Sequence, residues 1–317
     1  MGGFSGVQSE LQGTQFRAWL LAATVPAIFG VIGHSSWITV LLLAIVCGGI
    51  SACVVSARET KIPRWLCLLE ILWLTVLLGR LAGESAMCWE DAKAFPAIPV
   101  VMLAIAALAA QNGAVRAGRV GAILAWLILP VLGIVVVAGT VDAQWSWVRR
   151  GVTSPDGLLI MLLLTPCLGF FLPRKRNINA YGVCIALGIV AVIASIITDA
   201  TLSRGVAANA PNSLYELSKS VTVFGVAERF EALVACVITG GWFSLFVMIL
   251  CAIYQLGEKI SSKMAKWLVW ICAAIAAGFM CILPKATLWV GVGSLIFWGL
   301  IPALTQILWQ VKNIEKK

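Results

Sequence analysis

Of the 317 residues, 61% are hydrophobic and only 12% are charged, with a net charge of +9. Soluble domains carry about 25% charged and about 45–50% apolar residues. A soluble enzyme, a disordered chain and a nucleic-acid-binding domain are therefore excluded, and the mean hydropathy of +0.99 agrees. What remains is an all-α polytopic membrane protein, with room for roughly ten spans at about 20 residues each.

Taken in chain order, the polar stretch 1–15 has no basic region before an A-x-A site, so it is expected to be a tail rather than a cleaved leader. The first span is predicted at Phe16 to Gly33 and the second at Trp37 to Val55, with His34 to Ser36 between them. As one helix the pair would be about 60 Å long at 1.5 Å per residue, twice the hydrocarbon thickness, so the chain must turn there. Spans three to five follow at Trp65 to Ala82, Phe95 to Ala110 and Arg119 to Gly139. The sixth is Pro155 to Leu172 and the seventh Ala180 to Thr198. The segment 202–227 then forms an outer loop. Pro211, Asn212 and Ser213 read as a helix start there, and Leu214, Leu217 and Val221 recur at helical spacing, predicting a short amphipathic helix. It serves either as a lid over the outer mouth or as a simple interfacial helix. The last spans are Glu231 to Gln255, Trp267 to Leu283 and Leu288 to Val311, before a basic tail, 312–317.

Alternate loops and both tails hold fifteen of the 23 basic residues, among them Arg58, Arg116, Arg174, Lys259 and Lys317. The opposite loops hold seven, and Arg80 lies within a span. That asymmetry predicts both termini in the cytoplasm, with residues 1–317 forming a single transmembrane domain.

No P-loop, GxGxxG or CxxC motif stands out, and the single histidine, His34, has no carboxylate or cysteine close by. No enzyme activity, metal or cofactor is expected. The ten cysteines read as small hydrophobes. More informative are helix breakers inside spans. The first span carries Thr24, Pro26, Ala27, Gly30 and Gly33, and the sixth carries Thr165, Pro166 and Gly169. Such breaks are either kinks or unwound, cavity-lining backbone. Paired breaks in the two halves of a ten-span chain point to a binding site. Pro130, Gly133 and Pro302 lie outside that pair.

Ionisable residues within or beside spans are candidates for coupling or gating. Glu70 is expected to snorkel to the interface, and Arg80 with Glu84, four apart, to form an interfacial ion pair. Glu228, Arg229 and Glu231 open the eighth span, where acids suit the helix dipole. Of the fourteen tryptophans, most mark span ends, as interface belts do. Trp73 and Trp242 lie deeper and are candidate cavity walls.

Asn212 to Phe243, NSLYELSKSVTVFGVAERFEALVACVITGGWF, resembles the spore germination permease family, the B subunit of GerA-type germinant receptors. The family shows a proline-led outer helix, a Glu-Arg-x-Glu entry to the eighth span and then a tryptophan. Phe95 to Ile123 resembles its Pro-x-x-Pro start to the fourth span and the glycine-arginine turn into the fifth; GHSSWITVLL resembles its opening of the second. The family belongs to the amino acid/polyamine/organocation transporters. The resemblance implies a LeuT-like five-plus-five inverted repeat. It also implies a site between broken first and sixth spans, walled by the third and eighth. It further implies a small nutrient ligand, commonly an amino acid, and two partners, an A-type membrane subunit and a C-type lipoprotein, in the spore inner membrane. The chain departs from the pattern before the sixth span, where only Thr140 to Ser154 separates it from the fifth. The expected function is nutrient sensing by a permease-like subunit. The alternatives are a secondary amino acid transporter using Glu70 or Glu84, and a non-transporting membrane scaffold.

Overall fold

The computed structural model describes residues 13–31, 36–56, 64–87, 97–141, 143–148, 180–210, 212–220, 230–282, 293–294, 296–297 and 301. The sixth span with Thr165, Pro166 and Gly169, most of the tenth with Pro302, and Gly33, His34, Glu228, Arg229 and the tail residues 1–12 and 312–317 lie outside them; residues 13–15, expected in the tail, open the first helix instead.

The described chain is helical almost throughout: α1 Gly13–Val31, α2 Trp37–Ser56, α3 Arg64–Met87, α4 Ala97–Gln111, α5 Ala114–Val141, α6 Ala180–Asn209, α7 Ser213–Ser220, α8 Phe230–Ile260 and α9 Ser262–Ile282. In a bilayer only an intra-segment hydrogen-bond ladder satisfies the backbone of an isolated span. Five described helices are long and apolar enough to cross a membrane, within α3, α5, α6, α8 and α9. The protein is a helical bundle embedded in a membrane.

Apolar runs located the helices, but several helices overrun them. α5 begins at Ala114, five residues before the expected Arg119, and α8 runs to Ile260 rather than Gln255. The extra turns need no lipid, because they lift Arg116, Lys259 and Glu258 into water on helical backbone. The links are correspondingly tight. Asn112 and Gly113 alone join α4 to α5, and Gly113 takes φ +95°, which glycine adopts without a Cβ clash. Ser261 alone separates α8 from α9. Gln111 Nε2 donates to the Lys266 carbonyl at 3.0 Å, tying those two turns together at one end of the bundle, here the basic end.

Helix α8 is the axis. Every residue from Ser244 to Ile253 is buried, and it packs on α1, α3, α4, α5, α7 and α9. A helix apolar on every side belongs inside. Around it, α1 packs on α5 and α8, α2 on α6, and α3 on α9. Without a hydrophobic drive between helices in lipid, close approach at small residues supplies the contact energy. A Cβ on Gly79 of α3 would stand 2.9 Å from the Ala276 carbonyl of α9, and one on Gly188 of α6 would stand 2.5 Å from Ala44 Cβ of α2. The outward faces are lipid-facing apolar surfaces: Ile45, Leu72, Ile123, Trp126, Val137 and Trp267 are all more than 60% exposed.

The expected outer helix is present as α7, Ser213–Ser220, while Val221 lies outside the described residues. Asn212 caps it, accepting from the Tyr215 N–H at 3.1 Å. Leu214 and Leu217 are fully buried, and the helix lies on α1, α5, α6 and α8. Glu216 and Lys219 pair on its outer face at 3.0 Å. Part of the expected loop is instead helix, since α6 continues to Asn209 across a break at Ser203, whose φ is +63° and ψ is +160°. Thr201 Oγ1 donates to the Gly139 carbonyl at 3.1 Å and the Gln144 N–H to the Ala200 carbonyl at 2.7 Å. These bonds tie the ends of α5 and α6 together beside that break.

Candidate functional site

The first-span residues come to the centre of the bundle, but not as an unwound segment. α1 is helical through Pro26, Ala27 and Gly30 to Val31, so a proline within an otherwise continuous helix replaces the expected interruption. Tertiary packing explains its survival. Proline has no N–H to offer the carbonyl four residues back, Ala22. That carbonyl faces α8 at Gly241: a Cβ on Gly241 would lie 3.4 Å from Ala22 O and 2.6 Å from both Cβ and Cγ of Pro26. Glycine at 241 thus lets α8 close over the proline. Thr24 Oγ1 is turned back into its own helix, donating to the Leu20 carbonyl at 2.7 Å. Thr24, Pro26 and Ala27 are all buried.

Two charge assignments change. Glu70 is 2% exposed, so it is held inside the bundle rather than snorkelling to the interface; its Cα lies on the face of α3 that also buries Cys67, Leu74 and Leu77. Arg80 and Glu84 do pair across one turn of α3, but Arg80 is 4% exposed, so the pair is internal rather than interfacial. Nε and Nη1 of Arg80 have no hydrogen-bond partner among the described residues. Glu231, in the first turn of α8, is half-buried and placed to favour the helix dipole. Sequence reasoning missed Asp199. It is fully buried on α6, one residue past the predicted end of the seventh span, and an acid at a span end gives no signal of burial.

The two deep tryptophans pack against different rings. Trp73 stacks on Phe297 with ring centroids 4.9 Å apart and planes 8° from parallel, and its Nε1 donates to Ser294 Oγ at 3.3 Å. It packs α3 against the described part of the tenth span. Trp242 is buried beside Phe246, with centroids 6.2 Å apart, and its Nε1 has no partner among the described residues.

A cavity of about 410 Å³ lies elsewhere, between α1, the α4–α5 turn, α5 and α8. Trp19 supplies one wall and rests on Gly121, where any side chain would overlap the indole. Asn112 and Arg116 line it near the basic end, and Phe243, Ser244 and Val247 line it from α8. Ser244 is 2% exposed and its Oγ has no hydrogen-bond partner among the described residues. Trp19 is seven residues before Pro26, about 10 Å along the helix. The cavity therefore sits on the basic-end side of the proline contact. Neither Trp19 nor Ser244 was legible as a site residue, since a lone tryptophan near a span end and a lone serine in an apolar run read as belt and packing.

No protein family model matches this chain, and no curated protein matches it in sequence.

Proposed function

We propose that the chain is a permease-like subunit of a nutrient-sensing receptor of the spore germination type, with both termini cytoplasmic. It binds a small nutrient, an amino acid in the leading case, at the proline of α1, and passes the event to an A-type membrane subunit and a C-type lipoprotein. The carrying observation is the contact of Pro26 with Gly241. It seats a helix whose proline withholds the usual donor from the Ala22 carbonyl at the centre of the bundle, against the axial helix. Ligand binding at such a contact biases α1 between docked and released positions.

The packing supports a five-plus-five inverted repeat. In that arrangement spans three, four and five correspond to eight, nine and ten. Contacts then come in pairs. α3 on α9 answers α8 on α4, and α3 on α4 answers α8 on α9. α5 on α8 answers Trp73 of α3 on Phe297 of the tenth span. Each member of each pair is present. The outer helix α7, seated over α1, α5, α6 and α8, suits a lid.

The continuous α1 favours one rival, a non-binding scaffold. A thermal-shift screen of the purified protein against the standard amino acids, sugars and nucleosides separates them. A sensing subunit gives a concentration-dependent rise in midpoint for at least one nutrient, diminished in Gly30→Leu and Gly241→Ala measured against their own baselines. Absence of any shift, with the protein folded and its partner subunits present, selects the scaffold. Ion-gradient-driven uptake in proteoliposomes would instead select a secondary transporter.

A further inference from the structure

We infer that the cavity beside Trp19 is a binding site for an anionic phospholipid of the surrounding bilayer, held independently of any nutrient. Three observations converge on that chemistry. The first is charge. Arg116 lines the cavity at the basic end, is exposed, and makes no ion pair among the described residues. Its planar guanidinium offers a two-pronged match to a phosphate. Asn112 beside it gives one amide hydrogen to the Leu108 carbonyl at 3.1 Å and has a second to offer. The second is continuity with lipid. Val120 lines the cavity and is also 56% exposed, on the helix whose Ile123 and Trp126 are 71% and 84% exposed. One wall of the cavity is therefore also part of the lipid-facing surface, which favours entry from the bilayer over entry from water. The third is the deep end. Ser244 lies on that wall, and its buried Oγ has no hydrogen-bond partner among the described residues; such a group is costly unless something pairs with it.

Arg116 to Leu124 spans eight residues, about 12 Å along α5. A phosphate at Arg116 thus leaves the glycerol ester region pointing inward, where an ester carbonyl accepts from Ser244 Oγ. Acyl chain then covers Val120 and Leu124. Basic pockets between spanning helices are a recurrent solution for anionic headgroups. Because the walls come from both α1 and α8, an occupying lipid contacts the two helices at once.

The test uses the full chain purified in a neutral detergent and stripped of lipid. Phosphatidylglycerol, phosphatidylcholine and free glycerol phosphate are titrated in mixed micelles, and the thermal midpoint is read. Phosphatidylglycerol is expected to raise the midpoint at concentrations where the other two do not. Arg116→Gln should need about tenfold more phosphatidylglycerol for the half-maximal rise, the loss of one charge-assisted contact. Arg116→Lys should recover part of it, and Arg64→Gln, an exposed arginine off the cavity, should behave as the parent. Ala117→Leu, which fills the cavity, should abolish the rise while folding normally. Equal effects of the two lipids overturn the proposal, as does an Arg116→Gln response equal to the parent. A rise with free glycerol phosphate overturns it in favour of a water-soluble ligand. None of these outcomes depends on a nutrient binding at Pro26.

Discussion

Helices α5 and α8 are both long apolar helices, and composition gives α5 the greater claim to be called hydrophobic. Yet only a third of α5's most apolar stretch is buried, against two thirds for α8. Trp126 of α5 is 84% exposed, whereas Trp242 of α8 is 1% exposed. The difference teaches that in a bilayer hydropathy finds a span without telling which way it faces, because lipid tails are as apolar as a protein core. Small and polar residues separate the two. α8 carries Thr239, Gly241 and Ser244 along its packed length, and α5 places Gly121 and Gly139 on its inward face.

The largest effect that sharpens this contrast comes from a charge held inside. Glu84→Ala should cost about 3–5 kcal/mol by stranding Arg80 in the interior, and Arg80→Met combined with Glu84→Leu should recover most of it. Unfolding in mixed micelles reads both variants. The second prediction compares the two helices directly. Phe246→Ala should lose about 2–3 kcal/mol through lost packing alone, since the transfer gain from lipid to core is small, while Trp126→Ala should change stability by less than about 0.5 kcal/mol. Equal effects would break the comparison. Third, Gly241→Ala should cost about 2 kcal/mol, because its methyl group meets Pro26. Gly133→Ala on α5 meets nothing within 4 Å and should stabilise by about 0.5 kcal/mol through helix propensity; opposite signs in one thermal assay are the expected result. Smaller than the charge and core effects is the cap that holds α7 over α8. Asn212→Ala should cost about 1 kcal/mol and speed proteolysis at that helix.

The positions of the helices were legible because runs of apolar residues between polar breaks are a direct imprint of the bilayer. α2 begins at Trp37 as expected, and Asn112–Gly113 marks a turn. Helix ends were less legible. The turns carrying Arg116 and Lys259 are held by backbone hydrogen bonds in water, so hydropathy falls before the helix does. The candidate site was legible only in part. Pro26 announced a special position, but whether it unwinds or packs depends on Gly241, 215 residues away. Glu70 and Asp199 could not be recognised as buried from their neighbours, since facing inward is a property of tertiary packing. Trp73 and Trp242 stand out in the sequence by their place within spans, but only the structure supplies their packing partners, Phe297 and Phe246.

Docking of α1 against α8 at Pro26 is the central contact of the bundle, and a paired-cysteine crosslink in native membranes reads it out. In a background with the native cysteines replaced, Pro26→Cys with Gly241→Cys should form a disulfide rapidly on mild oxidation, while Trp126→Cys with Gly241→Cys should form none. A 26–241 pair that stays reduced, or a 126–241 pair that crosslinks as readily, would contradict the central position of α8 and the site built on it.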